Sequence, residues 1–367
     1  MAFHIDYTVC ILIMAVLTGV YVIAGGYMAT AINDFIQGII MLFGIAAVIA
    51  AVLMSKGGFM AALDGLAQVD DPAVSTTPGV FASFFGPDPL NLLGVVLLTS
   101  LGTWGLPQMV QKFYAIESER AIHKGTIIST IFAIIVAGGC YFLGGFGRLF
   151  GDQINVEAEG FDVIIPTMIS NLPDVLIGLV VLLVLSASMS TLSSLVMASS
   201  STLTIDFLKD NFIKNMSDKT QVLVIRVLIV IFIAISVVIA VVQYKSSVTF
   251  IAQLMGMSWG ALAGAFLAPL LYGIYWKGTT KAACWCSYIW GVGIMVLNMF
   301  FGSHFPTVLQ SPINAGAFAM LTGFILVPVV SWITPKPDRH MVEQCFAWYE
   351  EPVSVPAKFA LSEEEKH

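Results

Sequence analysis

The residues best suited to chemistry lie in one oily stretch, LSASMSTLSS at 185–194. Ser186, Ser188, Ser190, Thr191, Ser193 and Ser194 all carry hydroxyls there. Residues three and four apart share a helix face, so Ala187, Ser190 and Thr191 group together. Two hydroxyl oxygens and the Ala187 carbonyl can then converge on one point. Hard cations take oxygen ligands, and transporters build ion sites from side-chain and freed backbone oxygens near the membrane midplane. Close packing accounts for the same residues differently. Ser186, Ser190 and Ser194 form a small-xxx-small ridge that admits a neighbouring helix, and serines bond back to the carbonyl at i−4. Composition alone favours packing.

A second feature favours the ion. The centre of segment 91–114 reads GTWGLPQ, with Gly102, Gly105 and Pro107 in close succession. Proline removes a backbone donor and clashes with the preceding turn. A broken membrane helix is tolerated only where it is buried or lines a wet cavity, and such breaks mark transporter binding sites. A plain proline kink is the alternative. Elsewhere, the cysteines at 10, 140, 284, 286 and 345 are odd in number and lack metal spacing, which points to free thiols. The histidines do not cluster. There is no nucleophilic triad, phosphate loop or intramembrane carboxylate pair, so the sequence argues against an enzyme.

The elements that position these residues are membrane helices. Hydrophobic residues make up 58% of the chain and charged residues 11%, against roughly 25% charged in a soluble domain. Stretches near the 20 residues needed to span the hydrocarbon occur at 7–25, 34–54, 91–114, 121–147, 174–205, 221–243, 248–275, 281–301 and 313–334. This is an all-α polytopic bundle of about nine spans, with none of the alternation of a barrel. The first span lacks a basic n-region, which argues against a cleaved signal peptide. Residues 1–335 form the membrane domain and 336–367 a cytoplasmic tail. The net charge of −7 sits largely in outer loops and the tail, where it serves solvation and has no bearing on nucleic acid. Membrane lipid is the surrounding partner.

Taken together, GGYMATAINDFIQ (25–37), GTWGLPQ, LSASMSTLSS and YGIYWKGTTKAA (272–283) resemble the sodium/solute symporter family, which includes sodium/proline and sodium/glucose cotransporters. The resemblance runs in order and spacing to about residue 334. It implies a LeuT-like inverted-repeat fold and symport of a small organic solute with sodium ion across the cell membrane. It assigns core helices four to ten and two accessory helices to this chain. The family's first four helices have no counterpart here, so they are expected on an upstream or separate segment. It also implies that the Ala187 carbonyl and the Ser190 and Thr191 hydroxyls are sodium ligands. By the same resemblance, Thr103, Trp104, Pro107, Gln108 and Trp259 are pocket or gate residues. Asp34 has two compatible readings: a helix cap after Asn33, and, from the resemblance, a residue on the inward sodium exit path. Lacking a full first repeat, residues 1–367 alone are expected not to support coupled transport. A non-transporting sensor module or an inactive truncated paralogue is the alternative function.

With the N-terminus outside, 13 lysines and arginines fall on the cytoplasmic side against 3 outside (Lys56, Arg148 and Lys245), which is the positive-inside pattern. A reporter fused after His367 should therefore be active only in the cytoplasm. Activity on the outer side would overturn the span count.

Overall fold

The computed structural model describes residues 6–113, 116, 118–154, 160–170, 172–246 and 251–350. Nearly every described element is a helix, with one isolated bridge between Asp71 and Ser75. The helices are α1 (Tyr7–Ser55), α2 (Phe59–Ala67), α3 (Pro89–Ser100), α4 (Pro107–Phe113), α5 (Glu119–Gly145), α6 (Ile164–Ser170) and α7 (Asp174–Thr202). They continue with α8 (Asp218–Ser246), α9 (Ile251–Tyr275), α10 (Lys281–Phe301), α11 (Thr307–Gln310), α12 (Pro312–Ile333) and α13 (Arg339–Glu350). Among the described residues, eight helices are long and apolar enough to cross a membrane. The remaining expected span, 91–114, the third in order, is present as shorter pieces because it is broken. Residues 248–250, the expected start of the seventh span, lie outside the described residues.

α1 contains two spans. Gly26 interrupts it at φ 60°, ψ −159°, a conformation that costs a glycine little. Tyr21, before the interruption, and Gly44, beyond it, both meet α7, at Met189 and at Leu183 six residues away. A straight helix would separate residues 21 and 44 by about 35 Å, so the chain bends sharply at Gly26. Thr30 Oγ1 donates to the Gly26 carbonyl at 2.8 Å and secures the first turn of the second arm. That arm runs Met28–Ser55, not 34–54. The cap expected at Asp34 is therefore wrong, because Asp34 lies well inside a helix that one glycine has already started.

The chain divides into two compact units. The first comprises Met1–Leu93 and Pro107–Met255; the second comprises Gly94–Leu106 and Gly256–His367. In the first unit, α1 packs on α5, α7 and α8. One core joins Ile45, Val48 and Val52 to Leu143, Phe146 and Val180, and another joins Ala15 and Val22 to Val196, Ile229 and Ile233. Beyond Thr202, α7 widens into a π-helical segment, Leu203–Lys209. The loops beyond α1 are held by Lys56, which donates to the Leu149 carbonyl at 2.9 Å, and by the Arg148–Asp71 ion pair at 2.7 Å.

In the second unit, α9 packs through glycines spaced four apart. A Cβ on Gly260 would stand 2.6 Å from the Gly316 Cα of α12. A Cβ on Gly264 would stand 3.1 Å from both the Ala319 Cβ of α12 and the Gly291 Cα of α10. Lipid supplies no hydrophobic drive between helices, so close backbone approach through small residues is what holds them. Ser287, one turn before Gly291, donates to the Gly264 and Ala265 carbonyls at 3.2 and 3.1 Å. Trp290 and Thr322 tie α10 to α12 at 2.8 Å.

A Cβ on Gly291 would lie 2.3 Å from the Ala265 nitrogen, whereas one on Gly293 would meet nothing within 4 Å. Gly291→Ala should therefore destabilise the protein by about 1–3 kcal/mol. Gly293→Ala should be neutral or slightly stabilising. Thermal unfolding in detergent compares the two, and equal midpoints would refute the close packing.

Candidate functional site

The serine-rich stretch lies on an unbroken part of α7. Ser186, Ser193 and Ser200 are buried with Val196, and at 3.6 residues per turn they form one narrow seam. The first arm of α1 and α8 cover it through Val22, Ile229 and Ile233. The packing ridge is thus 186–193–200, not the 186–190–194 ridge that spacing alone suggests. Ala187, Ser190 and Thr191 occupy another arc of the helix, its centre roughly 120° away from that seam. Ala187 and Ser190 are half-buried and Thr191 is exposed.

The oxygens of this arc have clear states. The helix is regular here, so the Thr191 N–H takes one lone pair of the Ala187 carbonyl and leaves the other available. The Ser193 and Ser194 hydroxyls donate back to the Ser190 and Thr191 carbonyls, at 2.9 and 3.2 Å. An ion on this face would thus meet the Ser190 and Thr191 hydroxyls and the Ala187 carbonyl. Three oxygens are few for a hard cation, so further ligands would have to come from outside α7.

The structure adds residues that the sequence reading passed over. Tyr21 Oη donates to the Met189 carbonyl at 3.0 Å, in the middle of the hydroxyl stretch. The side chains of Ser193, Asn33 and Asp34 lie around it. Asp34 is half-buried inside the second span, where an acidic residue marks an ion or substrate path by default. Thr18 Oγ1, Gln37 Oε1 and Ser200 Oγ are buried without a hydrogen-bond partner among the described residues. Such atoms call for water or an ion. The signal in the sequence was a run of polar residues on otherwise apolar spans: Thr18, Tyr21, Asn33, Asp34 and Gln37.

The break at GTWGLPQ is as expected. α3 ends at Ser100, a 3₁₀ turn covers Gly102–Gly105, Leu106 is extended, and α4 starts at Pro107. Hydroxyls here bond back along the chain: Thr99 Oγ1 and Ser100 Oγ reach the Val95 and Val96 carbonyls inside α3, and Thr103 Oγ1 reaches the Ser100 carbonyl at the break, at 2.8 Å. Within the second unit, Leu106 is fully buried, and a Cβ on Gly105 would touch the Leu267 backbone at 2.8 Å. The break is therefore sheltered by protein, as the bilayer requires.

The expected pocket residues divide between the units. Thr103, Trp104 and Trp259 belong to the second, whereas Pro107 and Gln108 open α4 in the first, where α4 packs on α7. The Trp104 ring is 60% exposed, and Trp259, one turn before Ala263, is half-buried. Among the described residues, no group of three or more His, Cys, Asp or Glu could hold a metal ion.

Comparison with known proteins gives consistent results. A profile of the sodium:solute symporter family matches residues 1–291. The chain is 27% identical over 302 residues to a sodium/pantothenate symporter of Haemophilus influenzae, covering 80% of this chain and 58% of that protein. It is 27% identical over 340 residues to a sodium/proline symporter of Staphylococcus aureus, covering 91% and 63%. The chain thus spans about three fifths of the length of these relatives. The solved structure of a Na+-coupled sialic acid symporter, in a substrate-bound outward-open state, superposes with a TM-score of 0.65 at 18% identity, covering 91% of this chain and 68% of that one. That likeness is one of fold.

The Tyr21 hydrogen bond lends itself to a test. Tyr21→Phe keeps the ring and removes one donor, which should cost about 0.5–1.5 kcal/mol. Hydrogen exchange should quicken at amides near Met189 and stay unchanged in α10. No change near Met189 would show that the bond does not hold α1 to α7.

Proposed function

The chain belongs to the sodium:solute symporter family, a multi-pass membrane family, and on that premise we propose that it serves sodium-coupled symport of a small organic solute across the cell membrane, its N-terminus outside and its tail in the cytoplasm. The observation that carries this reading is the division of labour on α7. Its serines at 186, 193 and 200 are spent on packing, while the Ala187 carbonyl and the Ser190 and Thr191 hydroxyls are left off that seam. Polar groups without a packing role are costly in a bilayer, and a bound cation gives them a purpose. We assign these three oxygens to sodium, with the remaining ligands supplied from outside α7.

Asp34 fits the exit path for the released ion. It lies one span away from α7 but within the reach of Tyr21, whose hydroxyl is fixed on the Met189 carbonyl. The unpartnered oxygens of Thr18, Gln37 and Ser200 would support water along the same helices, and a hydrated route lowers the cost of moving an ion. The contacts to solute that we assign to Thr103, Trp104, Pro107, Gln108 and Trp259 rest on the family resemblance. The broken segment carrying four of them supports it, because breaks of this kind place freed backbone groups and side chains at transporter sites.

In the whole transporter, Ser190→Ala and Thr191→Ala should each raise the sodium concentration for half-maximal uptake about tenfold, the loss of roughly 1.4 kcal/mol of ion binding. Ser188→Ala, about 110° round α7 from the centre of that arc, should leave it unchanged. Sodium titration of radiolabelled proline and pantothenate uptake in vesicles provides the measurement, extended to further small solutes if neither is carried. Equal shifts for all three variants would remove the sodium assignment.

A further inference from the structure

The helix α13 follows the last span directly, and the sodium chemistry leaves it unused. Its residues Met341, Val342, Cys345, Phe346 and Tyr349 fall on one arc, while Arg339, Glu343 and Gln344 fall outside it. Part of the apolar arc is used within the second unit: Val342 and Phe346 are half-buried, and Lys277 Nζ sits 5.6 Å from the centre of the Phe346 ring. The other part is uncovered, with Met341 54% and Tyr349 63% exposed and Cys345 exposed.

The position of α13 identifies what covers that arc. Lys277 lies in the turn after α9, just beyond Tyr275, and α13 starts five residues after Thr334 at the end of α12. Those two ends are stitched together by Thr280 Oγ1 and Thr334 Oγ1 at 2.7 Å and by the Thr280 N–H on Ser331 Oγ at 3.3 Å. Tyr275 and Trp332, 76% and 70% exposed, are interfacial aromatics at this end of the spans. Five residues reach at most about 17 Å, and the Phe346 contact holds the far part of the helix at the same level. α13 is thus kept level with the ends of α9 and α12 along its length.

The charge there is basic. Lys277, Lys281, Lys336 and Arg339 are all exposed. Lys336 Nζ donates to the Ser331 carbonyl at 3.2 Å and stands 5.9 Å from the Trp276 ring, which leaves its charge uncompensated by either group. The acidic neighbours are Asp338, which accepts from the His340 N–H at 3.0 Å, and, on α13 itself, Glu343 and Glu350. We propose that α13 lies in the membrane interface as a binding surface for anionic phospholipid headgroups, held by Lys336 and Arg339, with Met341, Cys345 and Tyr349 entering the acyl boundary. An amphipathic helix beside cationic side chains binds anionic membranes in this manner, and here the preceding spans already hold it at the surface.

The test uses the full chain with Cys10, Cys140, Cys284 and Cys286 changed to serine and a nitroxide on Cys345. The chain is reconstituted in vesicles of phosphatidylcholine, with and without phosphatidylglycerol. Membrane-soluble oxygen should reach the nitroxide better than a water-soluble nickel complex does, and the difference should grow with phosphatidylglycerol. A label on Gln344→Cys should favour nickel throughout. Lys336→Gln and Arg339→Gln should each weaken the burial equilibrium about fivefold. Three results would overturn the proposal: preference for nickel at Cys345, shielding from both reagents (which would mean that a protein surface covers the arc), or indifference to the two charge removals.

Discussion

A bilayer cannot hydrogen-bond a stray N–H or C=O, and every described element of this protein answers to that constraint. It explains why the spans are helices and why each departure from helix is provisioned. At Gly26 the turn is made at a single residue, with the Thr30 hydroxyl on its carbonyl. At GTWGLPQ the Thr103 hydroxyl takes the Ser100 carbonyl at the helix end, and Leu106 is wholly buried. In both places a threonine hydroxyl adds a bond to a carbonyl at the interruption.

The same constraint sorts polar groups on regular helices into two kinds. Some do structural work, such as Ser287 on the carbonyls of α9 or Trp290 on Thr322. Others have no such use, and on α7 they gather on the arc of Ala187, Ser190 and Thr191. The sodium role we propose for that arc draws on two things, the membership of the chain in the sodium:solute symporter family and the place of the arc off the packed seam of α7.

The sequence made much of this legible. Glycine and proline act locally, so the break at 102–107 could be read from seven letters, and so could the spans from their hydropathy. What it hid depends on partners distant in the chain. The rotation of α7 is set by Val22, Ile229 and Ile233, so the packed seam could not be deduced from serine spacing. Asp34 was mistaken for a cap because the loop expected at 26–33 contracts to one residue, an outcome of Gly26 adopting φ 60°. Tyr21 went unnoticed because its acceptor is a carbonyl 168 residues away, and carbonyls carry no side-chain signature.

The way the chain is shared between its two units sets a timetable for its synthesis. Gly94–Leu106 packs with partners far downstream: Gly102 against Ala263, Gly105 against Leu267, Leu98 with Met320. These lie about 160 to 220 residues later. At roughly 5–20 residues per second, the ribosome needs on the order of ten to forty seconds to deliver them. Throughout that wait the broken segment already exists with its buried face bare, and whatever receives the nascent chain must shelter it.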